Sequence, residues 1–130
     1  MGAFDALNIA ASSMGMHQTW LDALANNISN ANTVVSTDQD AFQAQMVVAQ
    51  ARPGGGVDVA GIAVSDPEGI LEYAPDNPLA DEDGNVRAPA MDMSSQMTQL
   101  IMAQRGYQAS VQVTKYAQDS YSSALTIGDR

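Results

Sequence analysis

The sequence predicts a mainly α chain whose long N- and C-terminal helices pair as a coiled-coil-like hairpin, with a small β-rich insert between them. Three observations carry that prediction. Both ends repeat apolar residues at alternating spacings of three and four, the period of a helix packed along a neighbour. Neither end contains a proline. Every proline falls between residues 53 and 89, in a stretch that alternates like strands and is broken by turn clusters. The chain divides accordingly into a helical segment 1–35, a link and acidic β-rich insert 36–91, and a helical segment 92–130, the two helical segments forming one domain.

The first helix covers residues 3–30. Its seam is Ala3, Leu7, Ala10, Met14, His17, Leu21, Leu24 and Ile28, in which only His17 is polar. A lone histidine in a chain without cysteine lacks the three or four ligands that a metal needs, so His17 reads as a packing residue. Asn26, Asn27, Asn30 and Asn32 crowd the helix end, where short amides bond freed carbonyls and tolerate left-handed geometry. At ~100° per residue, Ile9, Met16, Trp20 and Ala23 form a second apolar face, roughly opposite Met14.

Between the helices the pattern changes. Residues 33–41 read as an extended or mobile link. Residues 42–51 alternate weakly at Phe42, Ala44 and Met46 and read as a strand. Pro53-Gly54-Gly55-Gly56 is a turn, Val57–Val64 a strand and Ile70–Tyr73 another. Two turn clusters follow, at 75–78 and 81–85, and then a short Val86-Arg87 strand.

The last helix spans Asp92–Ile127, about 50 Å at 1.5 Å per residue. Asp92 is placed to cap it. Its seam is Met93, Met97, Leu100, Gln104, Tyr107, Val111, Thr114, Gln118, Tyr121 and Leu125. Met102, Ala109, Val113 and Tyr116 lie roughly opposite. Two opposed apolar stripes on each helix point to neighbours on both sides, as in an oligomer or polymer. Gly106 costs ~1 kcal/mol relative to alanine inside a helix. With Ala103, Ala109 and Ser110 it forms a small-residue patch that lets another helix come close. Six glutamines can bond across such contacts without bringing charge.

Charge limits the partners. The chain has 130 residues and a net charge of −10, with one lysine and four arginines. That balance argues against nucleic acid and against direct binding to anionic lipid. Ten of the fifteen acids lie in 36–91, against Arg52 and Arg87 only, so the helical ends are nearly uncharged. Solvent-facing helices usually carry charge pairs four apart. There is no cysteine, hence no disulfide framework or thiolate chemistry. No basic region precedes the first apolar stretch, so neither a cleaved signal peptide nor a membrane span is expected.

Catalytic and ligand motifs do not fit. Placing Gly84 at the glycine of a calcium loop puts Leu79 and Ala90 at ligand positions. No zinc-protease, nucleophile-elbow, P-loop or dinucleotide signature occurs. Carboxylates lie mostly in turns, so no acid–base pair is placed. The sequence predicts no enzyme, no cofactor and no metal. A cytosolic helical adaptor or export chaperone would share the periodicity, but would carry charged outer faces.

Three blocks, in order, resemble one family. Ala25-Asn26-Asn27-Ile28-Ser29-Asn30-Ala31-Asn32-Thr33 is similar to the asparagine-rich block closing the first helix of bacterial flagellar rod and hook proteins. Ala103-Gln104-Arg105-Gly106-Tyr107-Gln108-Ala109-Ser110-Val111 resembles their C-terminal helix block. Residues 73–81, with Gly84, Val86, Pro89 and Asp92, resemble the approach to the last helix in the short proximal-rod members. The chain departs from the family's habits near Phe42, where tyrosine with a preceding glycine is usual, near Asn85, where tyrosine is usual, and at Gly106, where alanine or serine is usual.

The resemblance implies a structural component of the basal body, in the periplasmic rod, which polymerises through its terminal helices into the drive shaft. It also implies export through the flagellar type III apparatus without a cleaved signal. The implied partners are further copies, other proximal and distal rod proteins, the rod–MS-ring junction and the export gate. On that reading Leu7, Met14, Leu21, Leu24 and Ile28 meet Met97, Leu100, Tyr107, Val111, Tyr121 and Leu125 along the seam. Ile9, Met16, Trp20, Met102, Val113 and Tyr116 then face neighbours.

Overall fold

The computed structural model describes residues 2–128. The elements run α1 (Ala3–Ser29), β1 (Gln45–Ala51), β2 (Val57–Val64), β3 (Ile70–Tyr73), β4 (Asn85–Ala88) and α2 (Met93–Gly128). The Ala3 side chain, first on the expected seam, lies outside the described residues.

Local chemistry sets the helix ends. The Asp5 carboxylate accepts the Gly2 N–H at 3.0 Å, which puts negative charge on the first turn of α1. At the other end the Asn30 N–H reaches the carbonyls of Asn26 and Asn27, and its side-chain amide donates to the Asn26 carbonyl at 2.9 Å. Asn30 has φ −106°, so this end closes without a left-handed residue. Asp92 caps α2 by accepting the Ser95 N–H at 2.8 Å.

The two helices lie antiparallel. Asn27 meets Gln96, Ser13 meets Ser110, and Phe4 packs edge-on against Tyr121, so α1 numbers rise as α2 numbers fall. Strands β1 and β2 form an antiparallel hairpin with a register shift between Val48 and Ala49. Its turn needs glycine: Gly54, Gly55 and Gly56 all have positive φ, and a Cβ on Gly56 would sit 2.6 Å from Ser12 Oγ on α1. That hairpin rests on α1, where Ser12 Oγ accepts the Val57 N–H at 3.1 Å.

Strands β3 and β4 make a second antiparallel pair, and Val35 bridges the far side of β4 through both backbone bonds to Arg87, each 2.9 Å. The Arg87 guanidinium donates to the carbonyls of Thr37 and Glu68. The link at 33–41 is therefore tied down, with Ala41 buried and its N–H on the Pro67 carbonyl at 2.8 Å.

This architecture corrects the expected mainly-α, coiled-coil-like hairpin. The helices hold 27 and 36 residues, about half of the chain. Strand takes nearly a fifth, divided between two separate sheets. The side of α2 that is buried carries Gln96, Ala103, Ser110 and Ala117, spaced by seven. Each lies one residue before an expected seam position: Met97, Gln104, Val111 and Gln118. Bulky knobs do not fill this contact. Small side chains let the helices approach closely, and the hairpin takes part of the α1 surface. The core is correspondingly thin, and its largest fully buried side chains are Leu24, Val86 and the polar Asn27.

Candidate assembly interface

Asn27 is the best-connected side chain of the helix pair. It is 1% exposed. Its amide nitrogen donates to the Gln45 carbonyl and to Gln96 Oε1, both at 2.9 Å, while its oxygen accepts the Gln45 N–H at 2.8 Å. One carboxamide thus joins α1 to the first residue of β1 and to α2. Buried and satisfied on both its donor and acceptor sides, it costs little, whereas a lost partner would leave a buried orphan.

Toward the middle of the pair, the His17 ring lies on Gly106, and its Nδ1 donates to the Ser13 carbonyl at 2.8 Å. The Ser13 and Ser110 hydroxyls are 2.9 Å apart, and the Thr114 hydroxyl lies 3.7 Å from Met14 Sδ. Near the start of α1 the Phe4 and Tyr121 rings meet with centroids 5.1 Å apart.

The structure distributes the sequence-predicted positions as follows. Leu24 is buried, and Leu7, Met14, Leu21, Ile28, Leu100, Tyr107 and Val111 are half-buried. Met97, Tyr121 and Leu125 are exposed. Of the positions expected to face neighbours, Ile9, Met16 and Trp20 are half-buried, with Ile9 beneath the Gly55 turn. Met102, Val113 and Tyr116 stand open on α2. Within the motif blocks Asn27 and Asn30 bond as described, Tyr107 is half-buried, and Ala25, Asn26, Asn32, Arg105 and Gln108 are exposed.

Gln45 and Ser13 make contacts that sequence reasoning had not singled out, whereas Gln96 had been placed among the glutamines able to bond across helices and Ser110 in the small-residue patch.

Among the exposed α2 residues Met102, Val113 and Tyr116 fall within one arc of the helix at ~100° per residue, while Met97 and Ile101 lie further round, on the side that carries Lys115 and Asp119. Beside that arc, a notch of about 200 Å³ between the helices is lined by Ile9, Ala10, Ser13, Ala109, Ser110 and Val113. From Gln118 onward every described residue is exposed, as α2 runs past the start of α1.

The insert carries the charge. Asp81 accepts the N–H groups of Asn85 at 2.8 Å and Asp83 at 3.0 Å. The Asn85 bond leads in holding the Asp81 carboxyl below its ordinary range; slight desolvation opposes it, and the Thr37 hydroxyl and the Asp83 and Gly84 amides add to the lowering. Arg52 and Asp58 pair in the open on the first hairpin, where such pairs contribute little. Among the described residues no group of three or more His, Asp or Glu could hold a metal, and no helix is long and apolar enough to cross a membrane.

Residues 82–127 match the family described as flagellar basal body rod FlgEFG protein, C-terminal. Over nearly its whole length the chain is similar to flagellar basal-body rod protein FlgC. It is 35% identical to that of Salmonella typhimurium over 133 aligned positions, covering 98% of this chain and 99% of the relative. The Yersinia enterocolitica protein is 36% identical with the same coverage. The Bacillus subtilis protein is 27% identical over 149 positions, at 98% and 99%. The chain is thus a structural protein of the flagellar basal-body rod rather than an enzyme, and it belongs to the FlgC family of flagellar basal-body rod proteins.

Proposed function

We propose that this chain builds the proximal part of the rod, polymerising through its terminal helices into a shaft that carries motor torque. The observation that supports this most directly is the open apolar surface of α2. Met102, Val113 and Tyr116 are 57%, 48% and 70% exposed and share one arc of the helix. Large exposed apolar patches mark interaction sites, and burying them against neighbours recovers ~25 cal/mol per Å².

The partners on this reading are further copies of the chain, other proximal and distal rod proteins, and at the base the MS-ring junction and export gate. The chain leaves the cell through the flagellar export apparatus without a cleaved signal. The seam and neighbour-facing assignments, with the acid of 36–91 turned away from the helix contacts, belong to the same proposal.

The test is the pair Val113→Asp and Tyr116→Asp, made together. Both side chains are exposed, so the isolated variant should keep the wild-type circular dichroism while failing to enter the rod and leaving cells non-swimming. Normal swimming by cells that carry the double variant would overturn the proposal.

A further inference from the structure

The buried line of α2 repeats every seven residues, and that makes it ambiguous. Sliding α2 by seven residues, about 10 Å, would present another member of Gln96, Ala103, Ser110 and Ala117 to the same place on α1. A small-residue line holds two helices close but does not say where along it they stop.

The structure assigns that role to His17 and Gly106: we infer that the imidazole and the glycine are a size-matched pair that fixes the axial register of α1 against α2. The His17 ring occupies the space a side chain at 106 would need. A Cβ there would come within 2.5 Å of Cδ2 and 2.9 Å of Cε1, and nearer still to Nε2. Real Cβ atoms do not tolerate such contacts. Swinging the ring aside would break the bond its Nδ1 donates to the Ser13 carbonyl at 2.8 Å within a half-buried contact.

Gly106 is the only glycine in α2 before Gly128. A slip of seven residues would bring Gln99 or Val113 beneath the ring. A slip of one turn would bring Ala103 or Ser110. All four carry a Cβ. Only the observed register seats the ring flush. Asn27–Gln96 marks the same register by hydrogen bonding at one end of the pair; His17–Gly106 marks it by shape near the middle. Register in turn decides how far the exposed end of α2 projects, which is an axial dimension of the subunit.

The sign of one substitution is decisive. Alanine is a better helix former than glycine, so at an open position Gly106→Ala would be neutral or stabilising. A register lock requires harm, and requires that His17→Ala relieve it.

The variants are to be expressed in a strain lacking the native gene, with S13C and S110C added to report register in purified basal bodies. The wild-type chain should restore swimming, and the chain carrying only S13C and S110C should in addition form the 13–110 intrachain disulfide; failure of the wild-type chain to restore swimming would count against the rod assignment and not against the lock. G106A is expected to lose most swimming and most of the disulfide, and H17A with G106A to regain both. Wild-type swimming and disulfide yield in G106A would overturn the lock. So would a double variant as impaired as G106A alone.

Discussion

The carboxamides of Asn27 and Gln96 meet at 2.9 Å across 69 residues of sequence, and the same Asn27 amide holds both backbone groups of Gln45. A polar side chain thereby does in this thin core what a large apolar one does elsewhere: it joins three elements and discriminates against misaligned ones. The buried apolar side chains among the described residues are mostly alanine, so little bulk is available to do so instead.

Replacing Asn27 with alanine should therefore be costly. It strands the buried Gln96 side chain, at ~1–3 kcal/mol for an orphaned buried group, and the part-buried Gln45 N–H at less than that. The variant should incorporate poorly into rods, and Gln96→Ala alone should be milder because it leaves the Asn27–Gln45 pair intact. Comparing the two singles with the double by rod yield checks the coupling. Independent, additive losses would show that the bond is incidental.

Leu24 is 1% exposed, the largest apolar side chain fully buried between α1 and its neighbours. Leu24→Ala should destabilise the chain by about 2–5 kcal/mol, read as a lowered unfolding midpoint. Leu125→Ala, at a position 57% exposed, should barely move that midpoint while reducing rod incorporation.

Gly69 turns the chain into β3 with φ +57°, and a Cβ there would lie 2.6 Å from the Ala41 Cβ and closer to the Ala88 carbonyl. Gly69→Ala should cost upward of about 1–3 kcal/mol from backbone strain, with the clash in addition. Amide exchange should localise the loss to β3, β4 and Val35 and leave the helix pair protected.

The Asp81 turn should respond to acid in a defined direction. Its carboxyl is depressed in the folded chain, chiefly by the Asn85 N–H. The contribution is present above the ordinary carboxylate value and is lost as pH falls through the folded value. The Asn85 amide, corrected for intrinsic exchange, should be protected at neutral pH and open on acidification. In Asp81→Ala it should be open throughout.

Much of the architecture was legible in the sequence. Both helices, the Gly-rich turn and the strands at 57–64 and 70–73 followed from period and punctuation, and Asp92 capped where short acids do. The phase of α2 was not legible, because apolar spacing ranks residues by bulk. Here Met97 is exposed while Gln96 is buried, since close helix approach selects small size and hydrogen bonding at the contact. Asn27 was obscured for a related reason: an amide near a helix end reads as a cap, and its partner at Gln45 lies beyond a link whose ordering depends on Arg87 and Val35. The open α2 surface was anticipated as apolar, but apolarity alone could not say which stripe the chain covers by itself.

The most direct measurement is mass spectrometry of detergent-purified hook–basal bodies from the source cell, before and after the outer rings are stripped. A rod subunit should give peptides of this chain at more than trace level that stay with the stripped rod. Their absence from basal bodies, with abundance in the cytosol, would contradict it.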